Sequence, residues 1–375
     1  MSAGLRVGGA AIVYRLFDVG YEIALERALD LLATSAPERV RPVRGEAQAI
    51  QIPNPPVTAI LGGETVVIDG RRIDVEVSAR VFDFGVVSLR AHVPAPGEMS
   101  WEEWVAFGNA VDAAHAVDAL FAQHLRVLAE RIRPAVARPN VAPVTEDYVV
   151  YRVRSLRRSD GGEEEAADEL LRDVDVAPLL LNEWRPLSEG ARRELLPHRF
   201  SYYADDLAIL TWDNALIVDP TGSDGADSDV QFMLEFANAQ LLELRYYDAV
   251  LDAELPKMYD RVEAARAGGT RGLLTRRFAP LLGDLQRLVA DSTELVERVE
   301  NSLKVTDDVY LARIYSTALE IFRGRAWRNG IDRKLGIIRE TYAMLNAESQ
   351  AARAEVMELA IILLIVAELV VGLAK

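Results

Sequence analysis

Four histidines, His92, His115, His124 and His198, are the side chains of this 375-residue chain best suited to moving protons or binding a metal near neutral pH. A helical zinc motif needs two of them four residues apart, so that both face one way, and no pair has that spacing. His115 and His124 share a predicted helix but stand too far apart along it, and all four read as ordinary surface or core histidines. The acidic loop at 219–229 offers Asp219, Asp224, Asp227 and Asp229 as oxygen ligands for calcium. Its register fails: placing Gly225 at the turn position puts Pro220 first, and placing Glu235 last puts Ala226 third. A solvated turn leading into a helix is the better reading.

Other chemistries fare no better. Leu61-Gly62-Gly63-Glu64 and Asp160-Gly161-Gly162-Glu163 are glycine turns, but neither precedes a Lys-Ser or Lys-Thr pair, and dinucleotide-binding glycine spacing is absent. No Gly-x-Ser-x-Gly elbow occurs. Asp205-Asp206 opens a predicted strand, where adjacent side chains point to opposite faces and do not share a proton. Cysteine is missing altogether, which removes disulfides, thiolate metal sites and thiol nucleophiles and suits a reducing compartment. No catalytic residue, metal or cofactor is expected.

Charge narrows the partners. At a formal −16 with a pI near 4.9, the molecule's field repels a phosphate backbone, so nucleic acid is not an expected partner. Arg323, Arg325, Arg328, Arg333, Lys334 and Arg339 crowd one late stretch opposed only by Asp332 and Glu340, and read as a solvated helix face. Hydrophobic residues at 50% and charged residues at 27% mark a folded chain. The opening residues lack a secretory leader's pattern, and Asp18 and Glu22 come too early for an acid-poor transit peptide.

The elements that must position these residues follow from periodicity. Residues 10–17 read as a strand and 21–32 as a helix, followed by a proline-rich loop with Pro42, Pro53, Pro55 and Pro56. Strands are predicted at 65–68, 73–77 and 80–89, with a tight turn at Asp69-Gly70. A helix spans 101–132, with Trp104, Phe107, Val111, Leu120, Phe121 and Leu128 on one side. A strand at 148–153, a short acidic helix at 163–171 and a hairpin over 200–218 turning at Asp213-Asn214 repeat the order. From Asp229 a long amphipathic helix begins. Ser228 and Gln231 form its capping box, and Pro256 lies inside it. Gly268-Gly269 turns the chain into a second apolar stripe, and Thr306-Asp307-Asp308 caps a third segment.

The C-terminus is apolar on every face over 359–374, interrupted only by Glu368. Leu359, Ile361, Ile362, Leu363, Leu364, Ile365, Val366, Glu368, Leu369, Val370 and Val371 form the expected membrane segment, although a span wants about 20 apolar residues. The alternative is a helix buried in an oligomer core, where Glu368 meets a partner.

Ala237-Asn238-Ala239-Gln240, followed by Leu244, Tyr247 and Asp248, resembles the Ala-x-Ala-Gln helix of the required-for-meiotic-nuclear-division family. Val81-Phe82-Asp83-Phe84-Gly85-Val86-Val87 resembles its aromatic, glycine, double-valine strand, and Asp205 to Leu210 the strand preceding its helical half. Tyr315, Leu319, Leu345-Asn346 and the terminal run with Glu368 are similar to its closing helix and anchor. Leu241 and Ser88-Leu89-Arg90 depart from the family pattern. The resemblance implies a bacterial member of a domain of unknown function, with no catalytic residues to carry over.

The expected fold is α+β. Two β-α-β-β-α-like units (1–140 and 141–228) precede a long coiled-coil-like helical hairpin or bundle (229–355) and an apolar helix (356–375). The expected function is a non-catalytic scaffold or interaction protein. It is tethered to a membrane by the C-terminal helix with its bulk cytoplasmic, forms a homo-oligomer through the helical half and engages an unknown protein partner. The alternative is an enzyme or ligand sensor with a pocket between the two α+β units.

Overall fold

The structure is a computed structural model, and it describes residues 4–33, 38–39, 50–158, 167, 174–220, 228–267, 278–301, 304–305 and 308–373. The protein is α+β. Seven strands form the body of one sheet: β1 (Leu5–Asp18), β2 (Val57–Ile68), β3 (Arg71–Val81), β4 (Val86–Pro94), β5 (Thr145–Arg158), β6 (Leu207–Leu210) and β7 (Asn214–Val218). Their order across the sheet is β6-β7-β5-β1-β4-β3-β2, and two-residue strands Arg199–Phe200 and Glu38–Arg39 close its edges. All neighbours are antiparallel except β5 and β7. Strands from both predicted α+β units therefore share a single sheet, with β1 at its centre.

Local chemistry explains the elements. Asp69 and Gly70 both take positive φ, 48° and 74°, the two-residue turn whose twist matches antiparallel strands, and it joins Ile68 to Arg71. The predicted strand at 80–89 is two strands, broken by a turn at Phe82 to Gly85. The predicted helix at 101–132 is likewise two, α2 (Trp101–Asp112) and α3 (His115–Ile132), separated at Ala113 and Ala114 without any glycine or proline that periodicity could have flagged. A shorter α1 (Leu25–Leu31) precedes them. Ser100 caps α2 in a full capping box with Glu103.

The sheet is covered on both faces. Val7, Ala11, Val13 and Phe17 of β1 with Val77, Ala79, Val149 and Tyr151 pack against Trp104, Phe107, Val111, Leu120 and Phe121 of α2 and α3 in one buried core. Gly108 admits this packing: a Cβ there would lie 2.6 Å from Leu179 and 2.9 Å from Tyr151. The opposite face carries Ile12, Tyr14, Leu16, Arg80 and Tyr148. It is met by the first turns of α4 (Asp229–Ala267) and by α6 (Val309–Ile321), with Phe82 and Phe236 rings 5.5 Å apart and Tyr148 and Phe322 rings 5.7 Å apart.

Two compact units divide the chain: residues 1–243 with 299–325, and 244–298 with 326–375. The second is helical, built from the later part of α4, α5 (Phe278–Asn301) and α7 (Gly324–Leu373). Leu251, Met258, Val262, Leu285, Ile331, Leu335, Ile338 and Leu345 are its buried stripes. Arg261 meets Asp284 at 3.5 Å and Arg339 donates to Thr293 at 3.1 Å. Pro256 lies inside α4 as the sequence places it. The predicted acidic helix at 163–171 and the Gly268-Gly269 turn lie outside the described residues, apart from Ala167.

The membrane anchor is overturned. Among the described residues no helix is long and apolar enough to cross a membrane. Residues 359–373 extend about 22 Å at 1.5 Å per residue, against a hydrocarbon core of about 30 Å, and Glu368 interrupts them. The expected membrane attachment through this helix and the expected membrane location fall with it.

Candidate functional site

A polar layer lies buried between the sheet and the start of α4. Ser228 caps this helix, its hydroxyl accepting from the Gln231 amide at 3.1 Å. The Gln231 side chain does not reach back as a capping box requires; it donates to the Tyr14 hydroxyl of β1 at 2.5 Å. Gln231, Glu235 and Asn238 follow one another at helical spacing, and each is at most 2% exposed. Glu235 forms a buried ion pair with Arg80 of β3. Arg80 also donates through Nε to Thr58 Oγ1 at 3.1 Å and lies 4.9 Å over the Phe232 ring. The Tyr315 hydroxyl of α6 donates to Gln240 Oε1, and Arg152 of β5 approaches Asp219 at 4.0 Å.

Tyr148 closes the layer, donating to the Asn214 carbonyl at 2.8 Å. Burial, and secondarily the nearby Asp213 carboxylate, push its phenol pKa well up, so it stays a neutral donor. Charges matched in pairs inside the protein suit fixed positioning of α4 on the sheet.

Beside this layer sits the aromatic, glycine, double-valine segment. Phe82 and Phe84 stack at 5.3 Å, and both meet Phe236 of α4 edge-on. Gly85, the residue after Phe84, has φ of 98°, and a Cβ there would stand 1.9 Å from the Gly20 carbonyl oxygen. Only glycine lets the two backbones come this close, and the Val19 amide bonds the Gly85 carbonyl at 3.0 Å.

Two concavities open on the surface of the sheet-bearing unit. A cleft of about 510 Å³ lies between Pro197 to Phe200 and the first turns of α6, lined by His198, Arg199, Arg313, Ser316 and Thr317. A groove of about 490 Å³ runs along α3, with Phe17, Phe121, Leu125 and Val141 at its floor and Arg15, Asp118 and Arg126 around it. Arg15 and Asp118 pair there at 2.5 Å.

The sequence-derived candidates scatter. His92 lies on β4 opposite Ile12, His115 is fully exposed, and His124 is half-buried with its pKa lowered by burial. His198 alone lines the larger cleft. Asp205 and Asp206 lie in the turn before β6, where Asp206 accepts from the Tyr202 amide at 2.6 Å. Residues 221–227 of the acidic loop lie outside the described residues. Among the described residues no three His, Asp or Glu side chains gather to hold a metal ion. In the late basic stretch, Lys334 bonds Asp248 and Asp252 at 2.6 Å each.

Of the expected membrane segment, Leu359, Ile361, Ile362, Leu363, Leu364, Ile365, Val366, Leu369, Val370 and Val371 are 49–70% exposed along one helix, with Glu368 exposed among them. The residues that periodicity missed are Arg80, Arg152 and Glu235. Their one signal is a charged type set inside a largely apolar stretch.

Comparison with known proteins finds one uncharacterized relative and one uncharacterized family. Over 200 residues the chain is 27% identical to Uncharacterized protein MJ0711 of Methanocaldococcus jannaschii; the match spans 53% of this chain and 59% of that relative's length. No solved structure matches the chain. The family described as "Uncharacterized protein MJ0711, N-terminal domain" matches residues 8–224, from within β1 through β7, and the chain belongs to that family.

Proposed function

We propose that the protein is a non-catalytic scaffold that assembles with further copies of itself through its C-terminal helix. The observation that carries this reading is the run from Met357 to Leu373, in which twelve large apolar side chains are 49–87% exposed. An apolar surface of that extent calls for a partner. Because the side chains point in all directions around the helix, a single groove covers only part of them, whereas a bundle of identical helices covers each member alike. Pairing two such helices removes on the order of 1,000 Å² from water, within reach of a stable interface. The finer kinship, to a bacterial branch of the required-for-meiotic-nuclear-division family, belongs to the same reading. It is supported by Ala237, Asn238, Ala239 and Gln240, the resembling residues, all being buried at the foot of α4.

Sedimentation velocity of the full chain tests the assembly. A concentration-dependent oligomer is expected, reverting to monomer in the variant Leu363→Gln, Leu364→Gln, Val370→Gln with its circular dichroism unchanged. A wild-type monomer at tens of micromolar sinks the proposal.

A second reading, ligand sensing at the junction of the two predicted α+β units, draws support from the α3 groove. That groove takes Phe17 and Phe121 from the first unit and Val141 and Thr145 from the second. A thermal-shift screen against metabolites tests it, with Phe121→Ala expected to abolish any stabilisation found.

A further inference from the structure

The larger cleft has a composition at odds with the chain around it. In a protein of formal charge −16, the described residues of its lining include two arginines, Arg199 and Arg313, and the imidazole of His198, with Asp308 as the carboxylate among them. That carboxylate is already committed, since Asp308 caps α6 by accepting from the Leu311 amide at 2.9 Å. Both guanidinium groups are held in place. Arg313 lies over the Phe200 ring with its central carbon 5.6 Å from the centroid, and Arg199 donates its Nε to the Leu196 carbonyl at 3.2 Å, which leaves the terminal nitrogens as its remaining donors. Thr317 and Ser316 add hydroxyls to the same wall.

Two and three residues beyond Phe200 of this lining the chain presents aromatic rings. Tyr202 and Tyr203 are 58% and 59% exposed, with ring centroids 4.8 Å apart. The Tyr202 ring lies 5.4 Å from that of Tyr310, the residue directly after Val309 of the cleft lining. Exposed tyrosine faces are a poor use of surface unless a planar group stacks on them, and each stacked base is worth roughly 1–3 kcal/mol. The volume of about 510 Å³ falls in the range of small-molecule sites.

We propose that this cleft binds a nucleoside phosphate, with Arg199, Arg313 and His198 receiving the phosphate and the edge-to-face Tyr202-Tyr203 pair offering one ring face to the base. Guanidinium groups match phosphate oxygens in geometry and keep their charge at any physiological pH. The site lies on a different part of the chain from the C-terminal helix, so it stands or falls independently of assembly.

Isothermal titration of the full chain with ADP, adenosine and inorganic phosphate tests the assignment. ADP is expected to bind at least tenfold more tightly than either fragment. Arg313→Gln and Arg199→Gln, both exposed positions, are expected each to weaken ADP at least tenfold without moving the melting temperature. Tyr202→Ala is expected to weaken ADP while leaving phosphate unchanged. ADP that fails to bind at millimolar concentration, or binds both arginine variants as it binds the wild type, overturns the site. Equal affinity for ADP and phosphate overturns the nucleoside part of the assignment.

Discussion

The Arg80 guanidinium and the Glu235 carboxylate meet in the protein interior with side-chain exposures of 3% and 1%, joining β3 to α4 across 155 positions of sequence. Removing one member leaves the other charged and buried. Arg80→Met and Glu235→Leu are each expected to cost about 3–5 kcal/mol, while the double variant recovers most of that loss. Urea unfolding of the four proteins measures the coupling, and strictly additive losses would count against a matched pair.

Gly85 and Gly70 make an internal control for backbone geometry. Both have positive φ, but nothing lies near a Cβ at Gly70, whereas one at Gly85 meets the Gly20 carbonyl oxygen. Gly70→Ala should therefore cost about 1 kcal/mol, and Gly85→Ala several times that, enough to lower the yield of folded protein. Thermal melts and soluble expression, compared side by side, decide this.

Asp18 ties stability to pH. Burial raises its carboxyl pKa from the ordinary 3.8 to about 7, the hydrogen bond from the Gly20 amide opposing the rise. The folded state thus holds a proton that the unfolded chain releases. Stability is full below about pH 4, declines as pH climbs towards 7, and is flat above that. Asp18→Asn keeps an oxygen for the Gly20 amide without the charge. It is expected to gain on the order of 2–4 kcal/mol at pH 8 and almost nothing at pH 4. Urea midpoints at the two pH values provide the check.

Lys334 serves two aspartates of very different exposure, Asp248 at 15% and Asp252 at 62%. It also donates to the Asp248 carbonyl at 3.2 Å. Asp248→Asn is expected to lower stability by about 1–2 kcal/mol and Asp252→Asn by less than 1 kcal/mol, because solvent screens the outer pair. Equal effects in a melting experiment would mean that burial does not rank these contacts.

Much of the framework is legible from local pattern. The Asp69-Gly70 turn, the Ser100 box, the Ser228 cap and the three- and four-residue stepping of α4 are written within a few residues of where they act. The polar layer is not, because Tyr14 and Gln231 stand 217 positions apart and nothing near either residue names the other. Gln231 shows the cost: local reasoning assigns its amide to the helix cap, while the fold uses it on β1. Gly85 is visible as a glycine but not as the point where two loops touch. The terminal apolar run is plain in sequence, but its all-round hydrophobicity suggested a membrane span that its length does not support.

The central place of β1 has a consequence for synthesis on the ribosome. This strand precedes its sheet neighbours in the chain, but those lateral neighbours are β4 and β5, and its Tyr14 face waits for α4. Until α4 has been made, well over a hundred residues after β1, the strand has no complete set of native contacts, so the sheet is assembled late and from distant parts. A nascent chain stalled before α4 carries Tyr14, Arg80 and Tyr148 on an open face.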